Sequence, residues 1–248
     1  MAIHESLSRW NKSEPFELQV SRGQVRGHSS IFRSAHTSSC TTTKTTLWSL
    51  GTLYNFPISA TVMKVSSANA LDVGIVVLIN GLDANYDAIS ETVVMNGQTP
   101  VNTTKSYLRI NDVIVVAGAI LDGVYVGTGT VTAGVPATVY GYAKAGENIS
   151  ATSVYTIPKG YTFYITQGSI SCATTVSNKY VTAEFNSIIN GIDYITAKIT
   201  VSTSFQQFNY NPPLKVDEKT DFRTDVTSSS GTDIVAATVQ GILIKNLE

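Results

Sequence analysis

The feature that most constrains this chain is a repeated punctuation: three Asn-Gly dipeptides, at 80–81, 96–97 and 190–191, each closing a run rich in Val, Ile or Thr. Asn-Gly at a strand end favours the type I′ hairpin turn, because both central residues of that turn need positive φ. The flanking runs are alternating or short and continuously apolar, at 60–65, 73–79, 86–95, 108–117, 124–130 and 137–142. The same style continues at 154–157, 161–171, 180–189, 194–201, 205–209, 214–216, 221–227 and 234–244. Nowhere do the apolar positions recur with the helical period of about 3.6 residues. The expected fold class is all-β, built from antiparallel, jelly-roll-like β-sandwiches.

Two pentapeptides echo each other, Ile79-Asn80-Gly81-Leu82-Asp83 and Ile189-Asn190-Gly191-Ile192-Asp193. Read as equivalent hairpins, they imply two sandwiches, residues 47–148 and 149–248, joined near 146–151. A chain of 248 residues is long enough to bury two such cores. Charged residues are only 14% of the chain, against roughly 25% in typical soluble domains. Thr, Ser, Asn and Gly fill the difference. That composition suits faces covered by neighbours.

Residues 1–46 read differently, as an extended N-terminal arm. The stretch 27–46 is mostly Ser and Thr, with Ile31 and Phe32 as its large apolar pair, too little to offset its own ordering entropy. Residues 1–44 hold six basic side chains against three acidic, whereas 45–248 hold eleven basic against fifteen acidic. A basic arm on an acidic body points to docking on neighbouring subunits. The expected anchors are Trp10, Phe16, Leu18, Ile31 and Phe32, with Arg22, Arg26 and Arg33 supplying charge. Deleting residues 1–44 is expected to leave a folded body.

No catalytic, cofactor or metal site is expected. The three histidines, His4, His28 and His36, all lie in the arm, so the body lacks the commonest general base. The spacing of His28, His36 and Cys40 matches no common zinc finger. Gly127-Thr128-Gly129 lacks the Lys-Ser ending of a phosphate-binding loop. Asp83, Asp87 and Glu91 are expected in a turn and on a solvent face, and Asp217, Glu218, Asp221 and Asp225 in a solvated loop with Lys215, Lys219 and Arg223. The cluster of Tyr140, Tyr142, Tyr155, Tyr161 and Tyr164 reads as core edge or subunit interface. Cys40 and Cys172 read as free thiols. No basic patch carries interleaved aromatics, so nucleic-acid binding is not expected. The longest apolar run, 113–121, is too short to span a bilayer, and the N-terminus has no signal-peptide core.

At Leu47-Trp48-Ser49-Leu50-Gly51 and across 77–95 (VLINGLDANYDAISETVVM) the chain resembles a family of virion structural proteins of tailed bacteriophages, of the marine and cyanobacterial type. Thr103-Thr104-Lys105, Leu108-Arg109 and the element at 157–161 follow in the family's order, so the resemblance covers most of residues 47–170 and excludes the arm. It implies a protein assembled in the host cytoplasm and carried on the virion. Its partners would be other virion proteins (major capsid, portal or adaptor, or tail subunits) and further copies of itself. The first expectation is a head-associated decoration, cement or fibre-base component. The alternatives are a ring, adaptor or fibre of the neck or tail, and a host-glycan-binding module.

Overall fold

A computed structural model describes residues 14–173, 178–202 and 205–247. The chain is all-β, and every ladder among the described residues is antiparallel. The described helix is one short element, α1 (Phe16–Ser21), begun after Pro15, whose fixed φ suits a helix start. No helix is long and apolar enough to cross a membrane among these residues.

The first half supplies β3 (Thr61–Ser66), β4 (Val73–Leu82), β5 (Ala88–Asn96), β6 (Val101–Tyr107), β7 (Arg109–Ala117), β8 (Gly123–Thr132) and β9 (Val135–Lys144). They form two sheets, in the orders β6-β3-β8-β9 and β5-β4-β7. Their alternation places Met63 and Val65 of β3, Val77 and Ile79 of β4, Met95 of β5 and Val126 of β8 in one core. The second half supplies β10 (Tyr155–Thr156), β11 (Tyr161–Ala173), β12 (Val181–Ile189), β13 (Ile192–Val201), β14 (Phe205–Val216), β15 (Asp221–Ser228) and β16 (Asp233–Lys245). With β1 (His28–Cys40) and β2 (Thr45–Thr46) these make the sheets β1-β16-β11-β14 and β10-β15-β12-β13, β2 pairing with β15. Their cores join Ala35, Ile170, Val181, Val226 and Val235, and separately Ile157, Phe163, Phe222 and Leu243. Each fully buried Val, Ile, Met or Phe contributes about 1.5–3 kcal/mol.

One of the three Asn-Gly pairs forms the expected turn: Asn190 and Gly191 take φ of +53° and +78° between β12 and β13. At 96–97 Asn96 ends β5 and Gly97 alone takes positive φ, +56°, in a turn closed by the Thr99 amide donating to the Asn96 carbonyl at 3.0 Å. Asn80-Gly81 is a correction, because both residues lie inside β4. A Cβ at position 81 would meet the Arg109 carbonyl and the Tyr107 ring, so glycine is there for close strand approach. The chain reverses later, where the Asp83 carboxylate accepts the Asn85 and Asp87 amides at 2.8 and 3.0 Å. The two echoed pentapeptides therefore do different jobs and mark no repeated hairpin.

The arm is the larger correction. Residues 28–40 do not cross to a neighbour; they pair with β16 from His28↔Ile244 to Cys40↔Asp233. Arg33, Ala35, Thr37 and Cys40 alternate into the core. Sheet hydrogen bonds and small inward residues substitute for the bulk that a Ser/Thr-rich segment lacks. Residues preceding β1 are held as well, with Gln19 and Val20 of α1 buried and the Lys245 amide donating to the Gly27 carbonyl at 2.7 Å. Removing residues 1–44 would strip β16 of one of its two neighbours and open this core, so the expected intact body does not follow.

Cys40 and Cys172 sit on β1 and β11, on opposite sides of β16, facing Asp233 and Val235 in register. Two strand spacings separate them by about 9–10 Å, beyond disulfide reach. Both are buried and free. Burial, then the nearby Asp233 charge, pushes the Cys40 thiol up to about 12, and burial raises Cys172 as well. Neither thiol should react with Ellman's reagent at pH 8 in the native protein, and both should react in guanidinium. Rapid native labelling of either would contradict this placement.

Candidate functional site

The inward positions at the start of β7 carry polar residues where a core strand would carry apolar ones. Arg109 lies almost fully buried, its Nε and Nη2 donating to the two carboxylate oxygens of Asp221 on β15, each at 2.7 Å. Its Nη1 donates to the Pro57 and Leu108 carbonyls, and the Phe56 and Tyr86 rings flank the guanidinium at 5.1 and 5.5 Å. Asp221 also accepts the Thr156 hydroxyl at 2.5 Å. Asn111 closes a two-way contact with Thr156, donating to its carbonyl at 3.1 Å and accepting its amide at 3.0 Å. From β1, Arg33 donates to the Asp112 carboxylate and to the Asn111 and Val154 carbonyls. These residues join the two halves of the chain by a buried polar seam.

Aromatic rings extend the seam. Trp48, Tyr54 and Phe56 meet edge to face at 5.2 and 5.0 Å, and the Tyr54 hydroxyl donates to the Tyr140 carbonyl of β9. Burial raises the Tyr54 phenol well above its ordinary value. Tyr155, under the Arg33 guanidinium, is pushed up to about 12 by burial, against that cation. Both phenols stay neutral donors at physiological pH.

Other acidic groups are likewise committed to holding backbone or cations. Asp221 and Asp225 correct the expectation of a solvated loop, being 3% and 0% exposed on β15. Asp225 is held by Thr46, Asn186 and Arg223, the last also reaching the Tyr54 carbonyl and Asp193. Glu91 accepts the Thr104 and Lys105 amides. His36 pairs with Glu147 at 3.1 Å. Among the described residues no group of three or more His, Cys, Asp and Glu is arranged to hold a metal.

Two cavities flank the Arg33–Asp112 contact. One, of about 360 Å³, is bounded by Ser29, Leu82, Ile89, Tyr155 and Tyr161; the other, of about 420 Å³, by Phe32, His36, Glu147, Ile149 and Thr152. Both open beside β1. The expected anchors divide around this strand. Trp10 lies outside the described residues. Arg33 and Ile31 face their own body, so neither is an outward anchor. Phe16 meets the His28 ring edge-on at 5.8 Å, and Arg22 pairs with Glu14 at 2.5 Å. Leu18, Phe32 and Arg26 point outward, Phe32 being 60% exposed. Sequence reasoning missed Arg109, Asn111, Thr156 and Asp221; the signal was a cation and an amide at alternate positions of a predicted core strand.

No family model matches the chain, and no curated protein matches it. Two solved structures align weakly. A chain from the structure of the infectious bursal disease virus Gt strain is 11% identical over 95% of this chain and 83% of its own, with a TM-score of 0.20. A chain from T=1 particles derived from infectious bursal virus is 10% identical over 90% of this chain and 75% of its own, also at 0.20. At that TM-score the likeness carries no inference about fold or role.

Replacing Arg109 by Met should destabilise the protein by about 3–5 kcal/mol, because Asp221 is left charged and buried. The double variant R109M/D221L should recover much of the loss in urea unfolding; strict additivity would deny the coupling. Glu184 gives a pH-dependent counterpart. Lys198 and Lys44 hold its carboxyl below the usual carboxylate range. Its contribution is present above the ordinary carboxylate pKa and is lost as pH falls through the lowered one. Glu184→Gln should thus lower the urea midpoint at pH 7 and cease to matter at strongly acid pH.

Proposed function

We propose that this chain is a non-enzymatic structural protein of a virus particle, of the tailed-phage kind that residues 47–170 resemble. Its place would be a decoration or cement component on the head, assembled in the host cytoplasm with capsid or neighbouring particle proteins and with further copies of itself. The observation that carries the reading is where apolar surface remains. The C-terminal sheets end in outer strands, β13 and β14, that are exposed over most of their length, with Phe205 at 62%, and Phe32 stands out from β1 at 60%. A monomer working alone gains nothing from these side chains in water, whereas an assembly covers them. The stretches that carry the resemblance form the β4–β5 hairpin and the buried cluster of Trp48 with Tyr54 and Val154.

The N-terminal docking role falls in this reading to residues 1–13, with Trp10, and to Phe32, because residues 28–40 are committed to their own sheet. Deleting residues 1–13 should remove the protein from particles assembled in the same cells. Phe32→Asp should weaken incorporation without changing the fold. If both variants enter particles at normal copy number, neither segment docks the protein and the head-attachment reading fails.

A further inference from the structure

Among the described residues the outer strand β13 is hydrogen-bonded to β12 on one side only. All of its ten residues except Ile199 and Val201 are exposed, among them Ile192 at 56% and Ile195 at 55%. Of the other long outer strands of this half, β1 lies against the first half through the Arg33 contacts to Asp112 and Asn111, and β14 is guarded: Pro212 and Pro213 offer no N–H, and its ladder to β11 jumps from Ile165↔Leu214 to Gln167↔Asn209 there. β13 contains neither proline nor glycine, and its one irregularity is a single-residue bulge at Thr196. A proline-free, largely apolar edge of this length is a template for another strand whose charges match its own.

The charges on β13 say which strand. Asp193 bonds Arg223 at 2.8 Å and Lys198 bonds Glu184 at 2.8 Å. Glu184 and Arg223 occupy the face that carries Asp225, since Glu184 pairs with Asp225 and Asn186 with Arg223 in register. Asp193 and Lys198 therefore share one face despite their odd spacing, which the bulge at Thr196 makes possible. Two copies of β13 laid antiparallel about a twofold between positions 195 and 196 bring Asp193 opposite Lys198 of the second copy, and the symmetry repeats the pair. The same register sets Ile192 opposite Ile199 and Tyr194 opposite Ala197. We infer that β13 pairs edge to edge with β13 of a second copy of this chain, giving a twofold dimer with one sheet continuous across it. The inference rests on the assembly reading above and names its partner.

The full-length chain, weighed by light scattering over a dilution series, should have twice its 26.6 kDa mass at micromolar concentration. Asp193→Lys and Lys198→Asp should each weaken the dimer by about tenfold, because each reversal acts twice across the twofold. The double variant D193K/K198D should restore much of the affinity, although inside one chain it doubles the clash with Arg223 and Glu184; damage confined to the monomer fold would instead accumulate. A wild-type chain that stays at 26.6 kDa, or a double variant as weak as either single one, overturns the inference. Because only purified protein is weighed, a monomer leaves the particle role standing, and a dimer that never enters particles sinks that role alone.

Discussion

The architecture depends on one buried contact, the two-pronged bond from Arg109 to Asp221. Arg109 opens β7 in the first half and Asp221 opens β15 in the second, so the bond ties together sheets that share no ladder. Taking both charges out of water costs several kcal/mol per ion, and their attraction repays it only when the remaining donors are also met. Here they are: the Pro57 and Leu108 carbonyls take the other guanidinium N–H, two rings cover its faces, and Thr156 donates to the carboxylate. Such a pair adds less to stability than to geometry. It rewards one mutual arrangement of the two halves and penalises small slips, because any slip leaves a charge buried and alone.

Arg33 performs the same service from the opposite side. Its guanidinium reaches Asp112 and the Asn111 carbonyl of the first half and the Val154 carbonyl of the second, and its stem belongs to a strand fully committed to β16. The N-terminal segment is thus neither a free strap nor a simple edge strand. It threads between the halves and holds both, with a cavity left open on either side.

Much of this was legible in the sequence, and the failures have physical causes. Strands with alternation and β-branched residues, such as β11 and β16, were readable because side-chain period and burial agree, and most of β4 was readable as a continuous apolar run. The Asn-Gly turn at 190–191 was readable because positive φ at both positions selects those residues. β1 was not, since its inward residues are small or polar and its stability comes from β16, far away in sequence. Asp221 and Asp225 were misread because alternating charge looks identical on a solvated loop and on a strand whose inward carboxylates find arginines. The arginines that answer them come from β7 and from β15 itself, and local pattern carries no long-range pairing. Asn80-Gly81 misled for a related reason: glycine answers both to a turn and to a crowded backbone, and only the neighbouring chain tells which.

The pairing of β1 with β16 has a further consequence for how the molecule is made. Synthesis releases β1 early and β16 late, with nearly every other strand emerging between them. The β3–β9 half has all its ladders within itself and can close while the ribosome is still elongating. The other half must hold a Ser/Thr-rich strand in waiting until its partner appears. A low-apolar β1 is well suited to that delay, because it stays solvated and resists premature sticking where a more hydrophobic strand would aggregate. The composition that hid this strand from sequence reading is the same property that lets a nascent chain carry it safely.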